Sequence, residues 1–319
     1  MAFDQENASV LMFGGTTSHE GDVTNETWSW NGANWSLMNP ATKPSARGAA
    51  SMAFDAANGE MVLFGGFDGN AKGDTWTWNG SNWVLESPAT SPPARWGSTL
   101  TFDPSTGNTV LFGGAGVNGY LNDTWVWDGS NWSQRNPATS PVAYFYGSAA
   151  FDPTLGAVVL YTRSGNPNVY ESWAWDGSNW KKLNPPNGPN AKYGSAMAFD
   201  AGRGELVMFA DTGNFDLSET WTYGPPSGLR SAWIKQSPAT SPPGVNAAGS
   251  TFDQSTGTTV TFGGYNGSDF SNQTWNWDGD DWSQASPATS PSARQNASLA
   301  FDPARGSALM YDNATWNWS

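Results

Sequence analysis

At 319 residues the chain could hold two ordinary domains, but an internal repeat sets its organisation instead. A formal net charge of −14, with 14 Lys and Arg against 28 Asp and Glu, argues against nucleic acid or anionic membrane as a partner. Cysteine is absent, which removes disulfides, thiolate metal sites and cysteine nucleophiles together and leaves the compartment open. No apolar run is long enough for a helical membrane span, and no charged-then-apolar leader follows Met1. The polar, Lys-poor composition leans toward a secreted or cell-surface bacterial protein.

A Phe-Asp pair recurs at Phe3-Asp4, Phe54-Asp55, Phe102-Asp103, Phe151-Asp152, Phe199-Asp200, Phe252-Asp253 and Phe301-Asp302, roughly every fifty residues. It divides a single domain, 1–319, into units 1–50, 51–98, 99–147, 148–195, 196–248, 249–297 and a partial 298–319. Each unit reads as four strands. The first begins with small residues, as in Gly97-Ser98-Thr99-Leu100, and ends on Phe-Asp. Small side chains suit an innermost strand, where neighbouring sheets crowd about an axis. A turn such as Pro104-Ser105-Thr106-Gly107 follows, in which Asp bonds its own backbone and Gly supplies positive φ.

The second strand is apolar and ends in Gly-Gly, as in Val110-Leu111-Phe112-Gly113-Gly114. Its gapless distance from the Asp marks a fixed hairpin, since a slip of one residue would turn the apolar face outward. A variable loop leads to the third strand, Thr-Trp-x-Trp, whose two rings share one face (Trp76 and Trp78 in the second unit). An Asn/Asp-Gly turn such as Asp128-Gly129 opens the fourth strand at Trp132, and a Pro-rich linker such as Pro137 to Pro141 leads onward.

Some copies depart from this pattern. Tyr161-Thr162-Arg163 and Phe209-Ala210-Asp211 replace Phe-Gly-Gly, and the seventh unit stops at Ser319 without a fourth strand. Strands two and three occur seven times and strand four six times. The expected architecture is therefore an all-β propeller of four-stranded antiparallel blades, read as seven with the last lacking its outer strand. The alternative is six, closed by pairing the strand that ends at Asp302 with the first unit.

The apolar strand ending in Phe112-Gly113-Gly114, followed by Trp127 and Trp132, resembles the kelch repeat, and the resemblance covers essentially the whole chain. It implies a kelch-type β-propeller, a fold that serves mostly as a binding module or scaffold. The kelch-type copper oxidases similar to galactose oxidase need a cysteine-linked tyrosine and histidine ligands. This chain has no cysteine and one histidine, His19. Neither a metal nor another cofactor is expected.

In such a blade the second-to-third loops and the linkers emerge on one face, and here they carry the variation, so recognition is expected there. The positions just before the inner strands would encircle the channel mouth. They supply Arg47, Arg95, Trp96, Tyr144, Tyr146, Lys192, Tyr193 and Arg294, a set of aromatic faces and cations suited to a glycan or an acidic peptide. The first reading is thus a non-catalytic module for a carbohydrate or peptide. A second is self-assembly through the unpaired strand edge of an incomplete last blade. A third is a hydrolase using two acids among Glu20, Glu26, Glu171, Glu219, Asp211 and Asp216. The recurrent Asp of the Phe-Asp pair reads as turn chemistry rather than a metal ring.

Overall fold

The computed structural model describes residues 10–164, 169–185, 187–189, 194–211, 218–224, 232–254, 256–300, 310–312 and 314–316. It forms six four-stranded antiparallel blades about a central channel. Blade 2 shows the plan: Ser51–Asp55 innermost, then Glu60–Phe64, Thr75–Trp78 and Trp83–Leu85 outermost. Blades 3 to 6 repeat it, with inner strands Thr99–Asp103, Ser148–Asp152, Ala196–Asp200 and Gly249–Asp253.

Blade 1 is assembled from both ends of the chain. Ser298–Ala300 supplies its inner strand and pairs antiparallel with Val10–Phe13, with Leu11 opposite Ala300 and Phe13 opposite Ser298. The strand leading to Asp302 therefore completes the first blade and does not begin a seventh, which corrects the seven-blade reading in favour of its six-blade alternative. The physical reason is pairing. As the start of a new three-stranded blade it would leave Val10–Phe13 with an unpaired inner edge. Beyond it, the hairpin Met310–Asp312 and Ala314–Trp316 lies beside the outer strand of blade 1, Trp35–Met38. Each of these six blades thus has four strands, and the described residues form no incomplete last blade of the kind on which the self-assembly reading depended.

Between blades the packing is apolar and its polar ends are satisfied in register. The first Trp of each outer strand is buried and its indole N–H donates to a hydroxyl in the third strand of the preceding blade. The series runs Trp83 to Thr27, Trp132 to Thr75, Trp180 to Thr124, Trp233 to Ser172, Trp282 to Thr220 and Trp35 to Thr274, all at 2.8–3.0 Å. The last of these joins blade 1 directly to blade 6, leaving no space for a further blade. The Asn before that Trp accepts from a linker N–H of the preceding blade, as Asn82 does from Ala41 (2.7 Å) and Asn131 from Ala89 (2.8 Å).

The recurrent Asp of the inner strand closes an Asx turn. Asp55 accepts from the N–H of Ala57 (3.0 Å), Asp103 from that of Ser105 (3.0 Å) and Asp152 from that of Thr154 (2.8 Å). Asp278 likewise accepts from the N–H groups of Asp280 and Asp281 (2.9 Å each). These carboxylates are consumed locally. Among the described residues no group of three or more His, Cys, Asp or Glu could hold a metal.

Candidate functional site

The Gly-Gly pairs shape one face of the disc. Gly65 has φ 71° and an added Cβ would meet the carbonyl oxygen of Arg95 at 2.5 Å; Gly66, at φ 108°, donates to that same carbonyl at 2.9 Å. Only a residue without Cβ permits this approach, so the second strand ends and the chain crosses to the next linker. In blades 4 and 5, where Gly-Gly is replaced, the strands run on. Ala157–Arg163 pairs with Tyr170–Trp175, and Glu205–Asp211 with Ser218–Gly224. Linker and loop meet at Gly48–Phe67, Trp96–Ala115, Asn246–Tyr265 and Gln295–Thr16, which places both on this face.

The three arginines proposed for the mouth turn away from it. Their side chains are at most 1% exposed. Arg47 grips Asp74 through both Nη atoms (2.5 and 2.9 Å) and also donates to Gly65 O and to Ser45 O and Oγ. Arg95 pairs with Asp123 in the same way (2.6 and 2.8 Å), and Arg294 pairs with Glu26 (2.6 Å). Burial works to raise these carboxyls, but the guanidinium and Trp hydrogen bonds outweigh it, and Asp74, Asp123 and Glu26 all sit below the ordinary range. Arg47 spends all five of its N–H donors in this way, and Arg95 and Arg294 spend four of five beneath the surface. The expectation that Arg47, Arg95 and Arg294 present cations to the channel is corrected: they fasten each linker to the loop of its own blade.

The acids weighed for hydrolysis are also engaged. Glu26, Glu171 and Glu219 each accept from the indole two residues on, Trp28, Trp173 and Trp221 (2.8–3.1 Å). Glu171 and Glu219 pair in addition with Lys182 (2.6 Å) and Lys235 (2.5 Å). Glu20 stands exposed in the first loop, while Asp216 and the side chain of Asp211 lie outside the described residues.

The aromatic candidates do gather. Trp96 packs on Phe67 with ring centroids 4.9 Å apart. Tyr120 stacks on Phe145 (4.9 Å, 14°) and touches Tyr144 (5.4 Å). Phe145 in turn meets Tyr146 at 4.7 Å. Arg163 donates to the Tyr144 hydroxyl (2.6 Å), its guanidinium carbon 5.2 Å from the ring centre. The patch spans the loops of blades 2 to 4. Its rim is exposed at Phe67 (37%), Tyr120 (54%) and Val117 (88%). Across the mouth, His19 stacks on Phe270 (4.9 Å) and meets Tyr265 edge-on (5.5 Å), joining the loops of blades 1 and 6. Lys192 and Tyr193 lie outside the described residues.

Phe67, Tyr120 and Phe270 escaped the sequence-based list because they sit in loops of unlike length, where repeat alignment offers no register. The linker positions were found because every linker ends at a fixed distance from its inner strand.

At the channel mouth one residue per blade adopts left-handed backbone: Ala49 (φ 53°), Gly97 (60°), Tyr146 (56°), Gly194 (52°), Ala247 (53°) and Asn296 (55°). Their peptides hydrogen-bond from blade to blade. Gly97 N donates to Ala49 O, Ala49 N to Asn296 O, Asn296 N to Ala247 O, Ala247 N to Gly194 O, and Tyr146 N to Gly97 O, at 2.7–3.1 Å. Glycine takes this conformation freely, asparagine tolerates it, and a bulky tyrosine is an outlier there. Burial pushes the Tyr146 phenol up to about 12, so it stays protonated at neutral pH.

Residues 2–151 match the family model of the KLHDC2/KLHL20/DRC7 Kelch-repeats domain. No curated protein matches the chain.

Proposed function

This chain is a kelch-repeat β-propeller, and we propose that it is a non-catalytic module that binds an uncharged, apolar peptide segment of a protein partner on its loop face. Kelch propellers are generally protein-binding modules. The observation that carries the reading is the patch of Phe67, Trp96, Tyr120, Tyr144 and Phe145, held by a rigid disc and open at its rim. Large aromatic faces with hydroxyl and indole edges are the residues that dominate recognition surfaces. The ion pairing of Arg47, Arg95 and Arg294 removes three cations that would favour an acidic ligand, and Arg163 donates to the Tyr144 hydroxyl within the patch, so the segment is expected to be neutral.

The test is selection from a displayed peptide library, with a glycan array run in parallel and Trp96→Ala beside the parent in both. Trp96 is half-buried, so its truncation should weaken peptide capture at least tenfold while leaving the fold intact. Peptide binding that ignores the substitution would remove the patch from consideration. Hits on the glycan array alone would replace the peptide by a carbohydrate at the same rings.

A further inference from the structure

We propose that the channel mouth is a second, separate binding site, which takes a small uncharged polyhydroxylated molecule held by Tyr146 and Asn296 above the serine-lined channel. Blade order around the ring makes these two residues opposite. Tyr146 enters blade 4 and Asn296 enters blade 1, three blades apart in a ring of six. The other four left-handed positions carry Ala or Gly, so Tyr146 and Asn296 alone among the ring positions offer side-chain polar groups.

Neither group is used by the fold. Among the described residues the Tyr146 hydroxyl and the Asn296 carboxamide make no hydrogen bond, although both side chains are half-buried and both line the cavity. The Tyr146 ring is held over Gly97, where an added Cβ would lie 3.1 Å from Cε1. A strained backbone with an unspent hydroxyl is poorly explained by stability, because Gly or Ala would serve the ring better. Strain of this kind persists where it positions a group for use.

The cavity beneath has a volume of about 160 Å³. By the same measure one water needs about 10–15 Å³, so there is room for several waters or one small solute. Its walls carry Ser51, Ser98, Ser148, Ser195, Ser250 and Ser298. Ser51 bonds Ser98 (Oγ to Oγ, 2.7 Å), Ser148 bonds Ser195 (2.8 Å), and Ser298 donates to Ala50 O (2.6 Å), and each hydroxyl oxygen keeps accepting capacity toward the channel. Among the described residues no ionised side chain lines the cavity. A charged ligand would lose its hydration without a counter-charge, whereas a neutral polyol exchanges water hydrogen bonds for protein ones. That contrast fixes the chemical class.

The site is independent of the peptide reading, and titration calorimetry of the whole chain tests it. The probes are glycerol, myo-inositol and glucose, with gluconate and glucosamine as charged counterparts. Saturable binding of at least one neutral probe is expected, with neither charged one bound. Tyr146→Phe keeps the ring and removes the hydroxyl, and should weaken that binding about tenfold. Asn296→Gly removes the carboxamide while easing the backbone, so it tests the opposite wall with the fold secure. Trp96→Ala should leave polyol binding unchanged even where peptide capture is lost. Absence of saturable binding by all three neutral probes overturns the proposal. So does binding that both variants leave unchanged, or equal binding of the charged analogues.

Discussion

Arg95 shows how a residue that looks like a ligand contact becomes a structural one. It sits in a variable linker of an acidic protein, beside Trp96, and its charge reads as available. In the folded chain it lies beneath the surface with Asp123 across from it and the Gly113 carbonyl above (3.0 Å). Removing one partner of a buried pair leaves the other uncompensated, which costs about 3–5 kcal/mol. Arg95→Ala should therefore lower unfolding free energy by about that amount in urea titrations. A loss under about 1 kcal/mol would place the pair with exposed ion pairs instead. Neighbouring Trp96 behaves oppositely: its ring rests on Phe67 and its substitution should be felt in binding more than in stability.

Within a blade, the outer strands of blade 2 are tied by a hydroxyl bonded to an acid. Thr77, in the third strand, donates to Glu86 just past the fourth (2.8 Å), and Glu60 opens the second strand on the other side. Burial and then the nearby Glu86 and Asp55 carboxylates push Glu60 from 4.5 up to about 7, against the smaller opposing effect of Thr77. The proton is thus held by the folded chain and not by the unfolded one between those values, so stability is full below about 4.5 and falls as pH rises toward 7. Glu60→Gln should flatten that decline in melting temperature measured from pH 5 to 8. An unchanged slope would assign it elsewhere. Blade 5 offers an internal comparison, because Gln236 stands where Glu86 does and donates to Thr222 at 2.9 Å. There Glu205 is raised as well, by burial first.

At the scale of the whole molecule, closure decides both the blade count and the sites. The inner strand Ser298–Ala300 is contributed from nearly 290 residues away from its partner Val10–Phe13 and is needed before the channel has a sixth wall. A chain ending at Asp302 keeps that strand and should melt cooperatively, near the parent. A chain ending at Ala297 should lose cooperative melting, because blade 1 would expose an inner edge and Asn296 would lose the strand that anchors it in the ring of left-handed residues. Indistinguishable melting curves for the two truncations would show that closure does not depend on this pairing.

Much of this was legible in the residues themselves. The Phe-Asp pair and Gly-Gly end mark a hairpin because each demands a specific turn, and Thr-Trp-x-Trp marks a strand because its rings must share one face. Periodicity and these turn signals therefore determined the blade, its four strands and the face that varies, while the kelch type entered as a resemblance. Counting strands could not determine which blade the last inner strand joins, since a strand's partner is chosen by closure of the ring and leaves no mark in local pattern. Nor could it separate Arg95 from Trp96, adjacent in sequence and similar in promise. Only the tertiary structure assigns one to a buried carboxylate and the other to an aromatic patch, because burial and partner geometry arise between blades. The left-handed turn at Tyr146 is likewise a product of the assembled ring, where six linkers converge and each backbone answers to its neighbours.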